Sequence, residues 1–235
     1  MPAESKHLIS EIASAGQSIS AHAAASTRTL RLGVSDAMQV GVVFALIMVA
    51  VWTPPGRVST IVSLVATLCI LWFAVRSRFS VREMGLSRPG SGTRVILVSG
   101  ILLIVAIVFA GWVLHGLGPA QPVPWERAWK YAIWALEQEF ILQSFFFVRL
   151  ESLLGSRRAV MAAAFLFAAP HVPSPLLTGL SLIGGLLFCE MFRRYRNIFP
   201  LGLIHAAMGL TIAASFPDRL LHHMRVGLGY LLYRP

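Results

Sequence analysis

The chain has 235 residues, of which 56% are hydrophobic and 13% are charged, and its mean hydropathy is +0.71. A soluble domain of this size exposes far more polar surface, so the composition excludes a soluble globular protein and predicts an integral membrane protein. The formal net charge of +10 would suit a protein that binds nucleic acid. Contact with anionic lipid headgroups accounts for that charge, however, and no nucleic-acid partner is expected.

The apolar runs predict helices that cross a bilayer. Residues 1–33 form a polar tail without the apolar stretch of a cleavable signal peptide. No strand-like alternation follows, so we expect an all-α fold: a polytopic transmembrane helical bundle of seven or eight spans, in one domain over residues 34–217. Residues 218–235 predict an interfacial tail with arginines and tyrosines at headgroup level. The candidate spans are 37–52, 60–75, 95–114, 131–148, 159–169, 176–192 and 198–216.

The arginines predict the orientation of the bundle. They fall at every second loop, which is the positive-inside pattern and predicts a multi-pass protein of the cell membrane with its N-terminus inside. Glu190 lies one helical turn before two of them and is expected to form ion pairs with them. The loop arginines are Arg76, Arg78, Arg82, Arg88, Arg94, Arg149, Arg157, Arg158, Arg193, Arg194 and Arg196.

Four ionisable residues lie deep inside apolar sequence. Glu137 and Glu139 stand in YAIWALEQEFILQSFFFV, and two later runs each contain one histidine, His171 and His205. A charged side chain at the bilayer centre costs at least ~2.5–3.5 kcal/mol, so such residues usually line a site or a water-filled cavity. A carboxylate and two imidazoles that converge would suit proton transfer, water activation or metal binding.

The rise of a helix gives the depth of these residues. Glu139 lies ten residues before Arg149, which marks the inside end of its span, so it lies roughly 15 Å deep. The same count gives roughly 20 Å for His171 and roughly 12 Å for His205. All three therefore fall in one layer near the middle of a hydrocarbon slab of about 30 Å, and we expect them to converge.

Three prolines, Pro170, Pro173 and Pro175, surround His171. Proline removes a backbone donor and stops a helix, so we expect a broken helix near His171. Irregular backbone at membrane depth is tolerated where it lines a cavity, which favours a site beside this histidine.

The helical period decides which polar residues share a face. Glu139 and Gln143 are one turn apart, and the Gln143 amide can hydrogen-bond and orient the carboxylate. Glu137 points nearly the opposite way and would reach the same centre only after a local shift such as a π-bulge. The face of Glu139 and Gln143 is therefore the preferred site face.

The segments QEFILQ, FAAPH and HAAMG follow one another in the order and approximate spacing of three motifs of the CPBP family. That family comprises the type II CAAX prenyl endopeptidases and the bacteriocin-processing and immunity proteins, also called ABI. Its motifs are Glu-Glu-x-x-x-Arg, Phe-x-x-x-His and His-x-x-x-Asn, on separate transmembrane helices. The resemblance covers about residues 125–216 and implies a glutamic-type intramembrane endopeptidase, without a cofactor, that cleaves in or near a membrane segment.

The resemblance also implies roles for individual residues. Glu139 would be the base, with Glu137 as its substitute after a local shift. His171 would position or deprotonate the water, and His205 would donate a hydrogen bond to the oxyanion. Gln143 would orient the base.

The chain departs from the family motifs at three positions. Gln138 stands where the family has its first glutamate, Gln143 where it has arginine, and Gly209 where it has asparagine. An amide cannot accept a proton, and Gly209 removes one donor to the oxyanion. These departures are typical either of a rebuilt catalytic site or of a relative that binds without cleaving.

Alternative functions therefore stay open. The first is a non-catalytic, immunity-type relative that binds peptides or membrane partners. The second is a metal-dependent membrane hydrolase in which Glu139, His171 and His205 bind zinc and leave a fourth position open. A proton-coupled transporter is disfavoured because the chain shows no internal repeat. The expected partners are a peptide or membrane-protein substrate, prenylated or not, and the lipid bilayer.

Overall fold

The computed structural model describes residues 33–115 and 123–233, and within these ranges the chain is helical without strands. This confirms the all-α prediction. The predicted N-terminal tail, apart from Gly33, lies outside the described residues. The helices are α1 Gly33–Trp52, α2 Arg57–Val75, α3 Gly92–His115, α4 Trp125–Glu139, α5 Val148–Leu154, α6 Ser156–Ala168, α7 Pro175–Tyr195, α8 Ile198–Ser215, α9 Asp218–Leu221 and α10 Gly227–Leu231.

Five of these helices are long and apolar enough to cross a membrane, namely α1, α2, α3, α7 and α8. Leu64, Leu68 and Leu71 on α2 are exposed, as expected for a helix face that contacts lipid. The other two predicted spans fall in α4 with its continuation and in α6. The chain is a multi-pass membrane protein, and a total of seven or eight spans stays a prediction.

Helix α8 lies between α3 and α4, and glycines allow both contacts. A β-carbon on Gly100 of α3 would lie 2.5 Å from carbons of the Ile204 side chain. On α8 itself, a β-carbon on Gly202 would lie 2.7 Å from Cδ1 and 3.2 Å from Cα of Leu136 in α4. Interfaces between membrane helices use small residues in this way because they let backbones approach closely. The close contact with α4 brings the two motif-bearing helices together.

The predicted break near His171 is present. Helix α6 ends at Ala168, a short 3-10 turn covers Ala169–His171, and α7 begins at Pro175. The hydroxyl of Ser174 caps α7 by accepting a hydrogen bond from the backbone N–H of Leu177. Proline at the first position of α7 fits, because that backbone N–H would have no partner in the helix.

Ion pairs join the helices at what we call the arginine-rich end: the ends of α2, α5 and α7 and the starts of α3 and α8. Arg196 donates to both carboxylate oxygens of Glu151, and Arg78 donates to the buried Asp36. The predicted pairing of Glu190 is confirmed, because Arg193 and Arg194 both donate to its carboxylate at 2.6–2.7 Å.

The predicted location of Arg149 was wrong. We expected it in an inside loop, but its side chain is fully buried in α5. Its guanidinium donates to Gln39 Oε1 at 2.9 Å and to the carbonyl oxygens of Phe145 and Phe73 at 3.1 Å. It also stacks 4.0 Å from the centre of the Phe145 ring. The arginine is buried because three hydrogen bonds and an aromatic face replace its hydration, and it ties α5 to α1 and α2.

At the opposite end of the bundle, the segment after α8 folds back over the helices. The backbone N–H of Gly227 donates to the carbonyl of Val172, in the turn that follows His171. Gly227 has a φ of 53° and packs against Val51 at the end of α1. The segment predicted as an interfacial tail is thus hydrogen-bonded to the backbone beside the second motif.

Candidate active site

A π-helical segment, Phe140–Phe147, continues α4 directly after Glu139 and leads into α5. Glu139 is the last residue of α4 and Gln143 lies one turn later in the π-helical segment, and both are fully buried. The Gln143 amide donates to Glu139 Oε2 at 3.2 Å, which is the hydrogen bond that their shared face predicted. Single π-helical turns are rare and occur frequently at functional sites.

The second oxygen of the same carboxylate contacts the third motif. Glu139 Oε1 lies 2.9 Å from Nδ1 of His205 on α8. The rings of Phe167 and Phe188 pack at 6.0 and 5.5 Å from the His205 ring. Gln143 and His205 therefore each hydrogen-bond one oxygen of the Glu139 carboxylate, which is fully buried.

His171 also packs against Phe167. Its Nδ1 is 2.9 Å from the Phe167 carbonyl oxygen, so this nitrogen carries the proton and donates. The ring centres of His171 and Phe167 are 5.4 Å apart. In the neutral imidazole, Nε2 is left as an acceptor for a molecule beside it.

The two histidines line one cavity of about 180 Å³, which is room for several water molecules. Gln138 also lines this cavity, whereas Glu139 does not. The carboxylate is thus separated from the cavity by the His205 side chain to which it is bonded. The complete lining is Tyr131, Trp134, Gln138, Phe167, His171, Leu177, Leu180, Ser181, Gly184, Phe188, His205, Met208, Gly209, Ile212, Met224 and Val226.

A second cavity, of about 700 Å³, adjoins the first at the end of the bundle opposite the arginine-rich end. The two cavities share Tyr131, Trp134, Gly209 and Met224. Its wall consists of the start of α4, the end of α8 and the segment that follows, and its described lining includes Arg127 and Arg225. We call it the cationic antechamber.

Glu137 faces a third cavity, of about 190 Å³, between α4 and the helices α1 and α2. Gln138 and His171 also line it. The structure thus brings Glu139, Gln143 and His205 into direct contact and places Glu137 on a different side of α4, as the helical period predicted. The π-helical segment begins after both glutamates and leaves this separation in place.

In the part of the chain that the structure describes, no three histidine, cysteine, aspartate or glutamate side chains surround a common point. Glu139 and His205 contact each other, and His171 Nδ1 is committed to a backbone carbonyl. The zinc alternative stays a prediction, which a chelator can test.

Sequence reasoning missed several residues that line the site. Tyr131 and Trp134 precede Gln138 by seven and four residues, so the helical period puts all three on one face of α4, and that signal was available. Met224 and Val226 belong to the segment assigned to an interfacial tail. Its apolar residues could have indicated packing against the bundle.

Residues 120–211 of the chain match the family model for type II CAAX prenyl endopeptidase, Rce1-like. This segment contains all three motif segments, with the residues that meet around His205 and His171. Comparisons with curated proteins and with solved structures gave no match. The match supports the assignment to the CPBP family that the motifs indicated.

Proposed function

We propose that this protein is an intramembrane endopeptidase that hydrolyses a peptide bond in or next to a membrane segment. The observation that carries the proposal is the buried pair of Glu139 and His205, 2.9 Å apart, beside a cavity that His171 also lines. A carboxylate hydrogen-bonded to an imidazole that faces a water-sized cavity can activate a water molecule. The match to a protease family supports the same reaction class.

The pair would work as a unit. With the carboxylate ionised, His205 Nδ1–H donates to Glu139 and leaves Nε2 to accept a proton. A water in the cavity gives its proton to Nε2 as its oxygen attacks the peptide carbonyl carbon. Glu139 then stabilises the imidazolium, as buried carboxylates do in other acid–base pairs. The same proton passes to the leaving amine when the C–N bond breaks.

This assignment differs in one respect from the roles that the family resemblance implied. There Glu139 was the base and His205 the oxyanion donor. Burial favours a division in which His205 meets the water and Glu139 acts through it, because Glu139 has an exposed fraction of 0%. Glu139 is then a positioning residue. His171, whose Nδ1 is occupied by Phe167, would hold the water through Nε2.

For the location, we propose the cell membrane, with the N-terminus and the arginine-rich end inside. The substrate would be a peptide or a membrane protein whose cleavable segment reaches the cavity from the cationic antechamber. Both cavities are apolar over most of their walls, which suits an apolar segment, prenylated or not.

The test is cleavage of a quenched peptide library by the purified protein in detergent and in liposomes. We expect wild-type cleavage that is lost in Glu139→Gln and in His171→Ala and is unaffected by chelator. The matched control is Glu126→Gln, which removes an exposed carboxylate from the same helix, one that pairs only with Lys130 among the described residues. Cleavage that stops with chelator would replace this mechanism by the zinc alternative.

A second candidate function is peptide binding without cleavage. The amides at Gln138 and Gln143 and the complete burial of Glu139 favour it. Retention of a fluorescent peptide by the wild type, without cleavage and with equal affinity in Glu139→Gln, would support it over the protease.

A further inference from the structure

The hydroxyl of Tyr131 occupies the space that a side chain at position 209 of α8, one turn after His205, would fill. Gly209 lies one turn after His205. A β-carbon built on Gly209 would overlap the Tyr131 hydroxyl and lie 2.5 Å from Cζ of its ring. Residues one turn apart on a helix have β-carbons about 5–6 Å from each other. The Tyr131 hydroxyl therefore lies about one helical turn from His205, on the cavity that both residues line.

The site has acceptors in place and lacks an assigned donor. His171 Nδ1–H is committed to Phe167, and His205 Nδ1 to Glu139, so both Nε2 atoms are acceptors in the neutral rings. Attack on a peptide carbonyl turns its oxygen into an anion, which a preorganised donor must stabilise. A second, separate group is needed for that oxygen if His205 takes the water proton.

Tyr131 is suited to supply that donor. It lines both the cavity of the two histidines and the cationic antechamber, so it stands where the two spaces meet. Among the described residues its hydroxyl has no hydrogen-bond partner. A phenol has one O–H donor on a rigid ring, and packing against Gly209 holds that ring against α8.

We propose that Tyr131 is the oxyanion donor of this peptidase, an inference that rests on the proposed function. When the water oxygen bonds to the carbonyl carbon, the C=O π electrons move onto the carbonyl oxygen and Tyr131 O–H donates to it. The proton stays on the tyrosine oxygen. As the C–N bond breaks, the carbonyl re-forms and the amine leaves with the proton that His205 carries. A side chain at position 209 would overlap the Tyr131 hydroxyl.

Three other side chains with donor groups line the cavity, namely Trp134, Ser181 and Gln138. Tyr131 is the one whose hydroxyl lies against Gly209, one turn after His205. Tyr131→Phe is therefore compared with Trp134→Phe, Ser181→Ala and Gln138→Met, each of which removes one donor.

The experiment measures kcat and KM for a peptide that the wild type cleaves. We expect Tyr131→Phe to lower kcat about 10²–10³-fold with little change in KM, as for loss of one oxyanion donor in other enzymes. Tyr195→Phe is the matched control, because Tyr195 packs against Gly92 at the arginine-rich end. Thermal unfolding in detergent shows that each variant is folded.

A rescue distinguishes a donor from a merely structural tyrosine. Tyr131→Ala should lose activity, and Tyr131→Ala with Gly209→Asn should regain at least tenfold, because an amide donor then enters from α8. Tyr131→Ala with Gly209→Ala fills part of the space without a donor and should regain nothing. Equal recovery in both double variants would overturn the inference, as would wild-type kcat in Tyr131→Phe. A wild type that cleaves nothing would overturn the proposed function itself.

Discussion

Glu139 Oε1 lies 2.9 Å from His205 Nδ1, although the two residues are 66 positions apart in the chain. The contact joins the last residue of α4 to the middle of α8. The carboxylate is completely buried, and the imidazole and the Gln143 amide each hydrogen-bond one of its oxygens. Loss of either member leaves the other without its partner.

The two residues should therefore behave as one unit in kinetics. We expect Glu139→Gln and His205→Ala each to abolish most of the activity, and the double variant to be no worse than the more severe single variant, because groups that act together are non-additive. The measurement is a double-mutant cycle on kcat/KM. Losses that simply add would show that the two residues act independently.

Close packing of α8 on α4 should be essential for this contact. A β-carbon on Gly202 would meet Cα of Leu136 at 3.2 Å, and backbone cannot move aside cheaply. We expect Gly202→Ala to destabilise the protein by about 1–3 kcal/mol, the usual cost of overpacking, and to lower activity. Gly179→Ala is the control, because nothing lies within 4 Å of a β-carbon there. Thermal unfolding in detergent measures both.

Arg149 should matter for stability more than for chemistry. Arg149→Met removes hydrogen bonds to Gln39, Phe145 and Phe73 and leaves buried acceptors unpaired. A hydrogen bond to a charged group contributes about 1.5–3 kcal/mol, so we expect a loss of about 3 kcal/mol in the free energy of unfolding. Arg158→Met, at an exposed position, should change it little. An unchanged free energy of unfolding in Arg149→Met would show that the buried cation contributes nothing to stability.

The loop between α2 and α3 should respond to acid. The backbone N–H and hydroxyl of Ser80 donate to Glu83 at 2.7 Å and lower the pKa of its carboxyl from 4.5, with Arg196 and Arg78 adding to the effect. The folded pKa is below the unfolded one, so the stabilisation is present above the unfolded pKa and is lost as pH falls through the folded value.

Thermal unfolding of the wild type and of Glu83→Gln across this pH range measures that contribution. The wild type should have the higher melting temperature at neutral pH, and the two should converge once Glu83 is protonated. The difference is small because the side chain is exposed and solvent screens it. A difference that grows as the pH falls would contradict the assignment.

The cationic antechamber should favour substrates with a negative end. Arg127 and Arg225 line it, so a peptide with a free C-terminal carboxylate should be cleaved faster than its amide. We expect a preference of up to about fivefold, or about 1 kcal/mol, that decreases with salt and in Arg225→Gln. Arg57→Gln is the control, because Arg57 does not line this cavity. Equal rates for acid and amide at low salt would refute the electrostatic preference.

Periodicity and proline positions predicted much of the fold. Apolar runs located the long helices, and the prolines around His171 located the break, because both features act within one helical segment. The depth of Glu139 and His205 predicted that they meet. The depth did not predict which of the two side chains faces the cavity, because that depends on the rotation of α4 and α8 about their axes. The sequence therefore left open whether the carboxylate or the imidazole faces water.

Arg149 and Met224 show why other features of the fold and the site could not be predicted from the sequence. An arginine next to a run of arginines is statistically a loop residue, and only the carbonyls of distant helices make its burial possible. Met224 lies in a short segment whose own pattern is weak, and its place in the cavity wall depends on the Gly227 contact with Val172. Long-range partners decide both positions, and local sequence does not encode them.

With the arginine-rich end facing the cytoplasm, as proposed above, the cationic antechamber would lie toward the exterior and water would arrive from that side. Its position would then decide in which compartment bond cleavage has its consequences. The fragment released on that side would leave the cell surface, while the fragment still embedded in lipid stays with the bilayer. A peptidase built in this way would separate exported segments from their membrane anchors and leave cytoplasmic tails untouched.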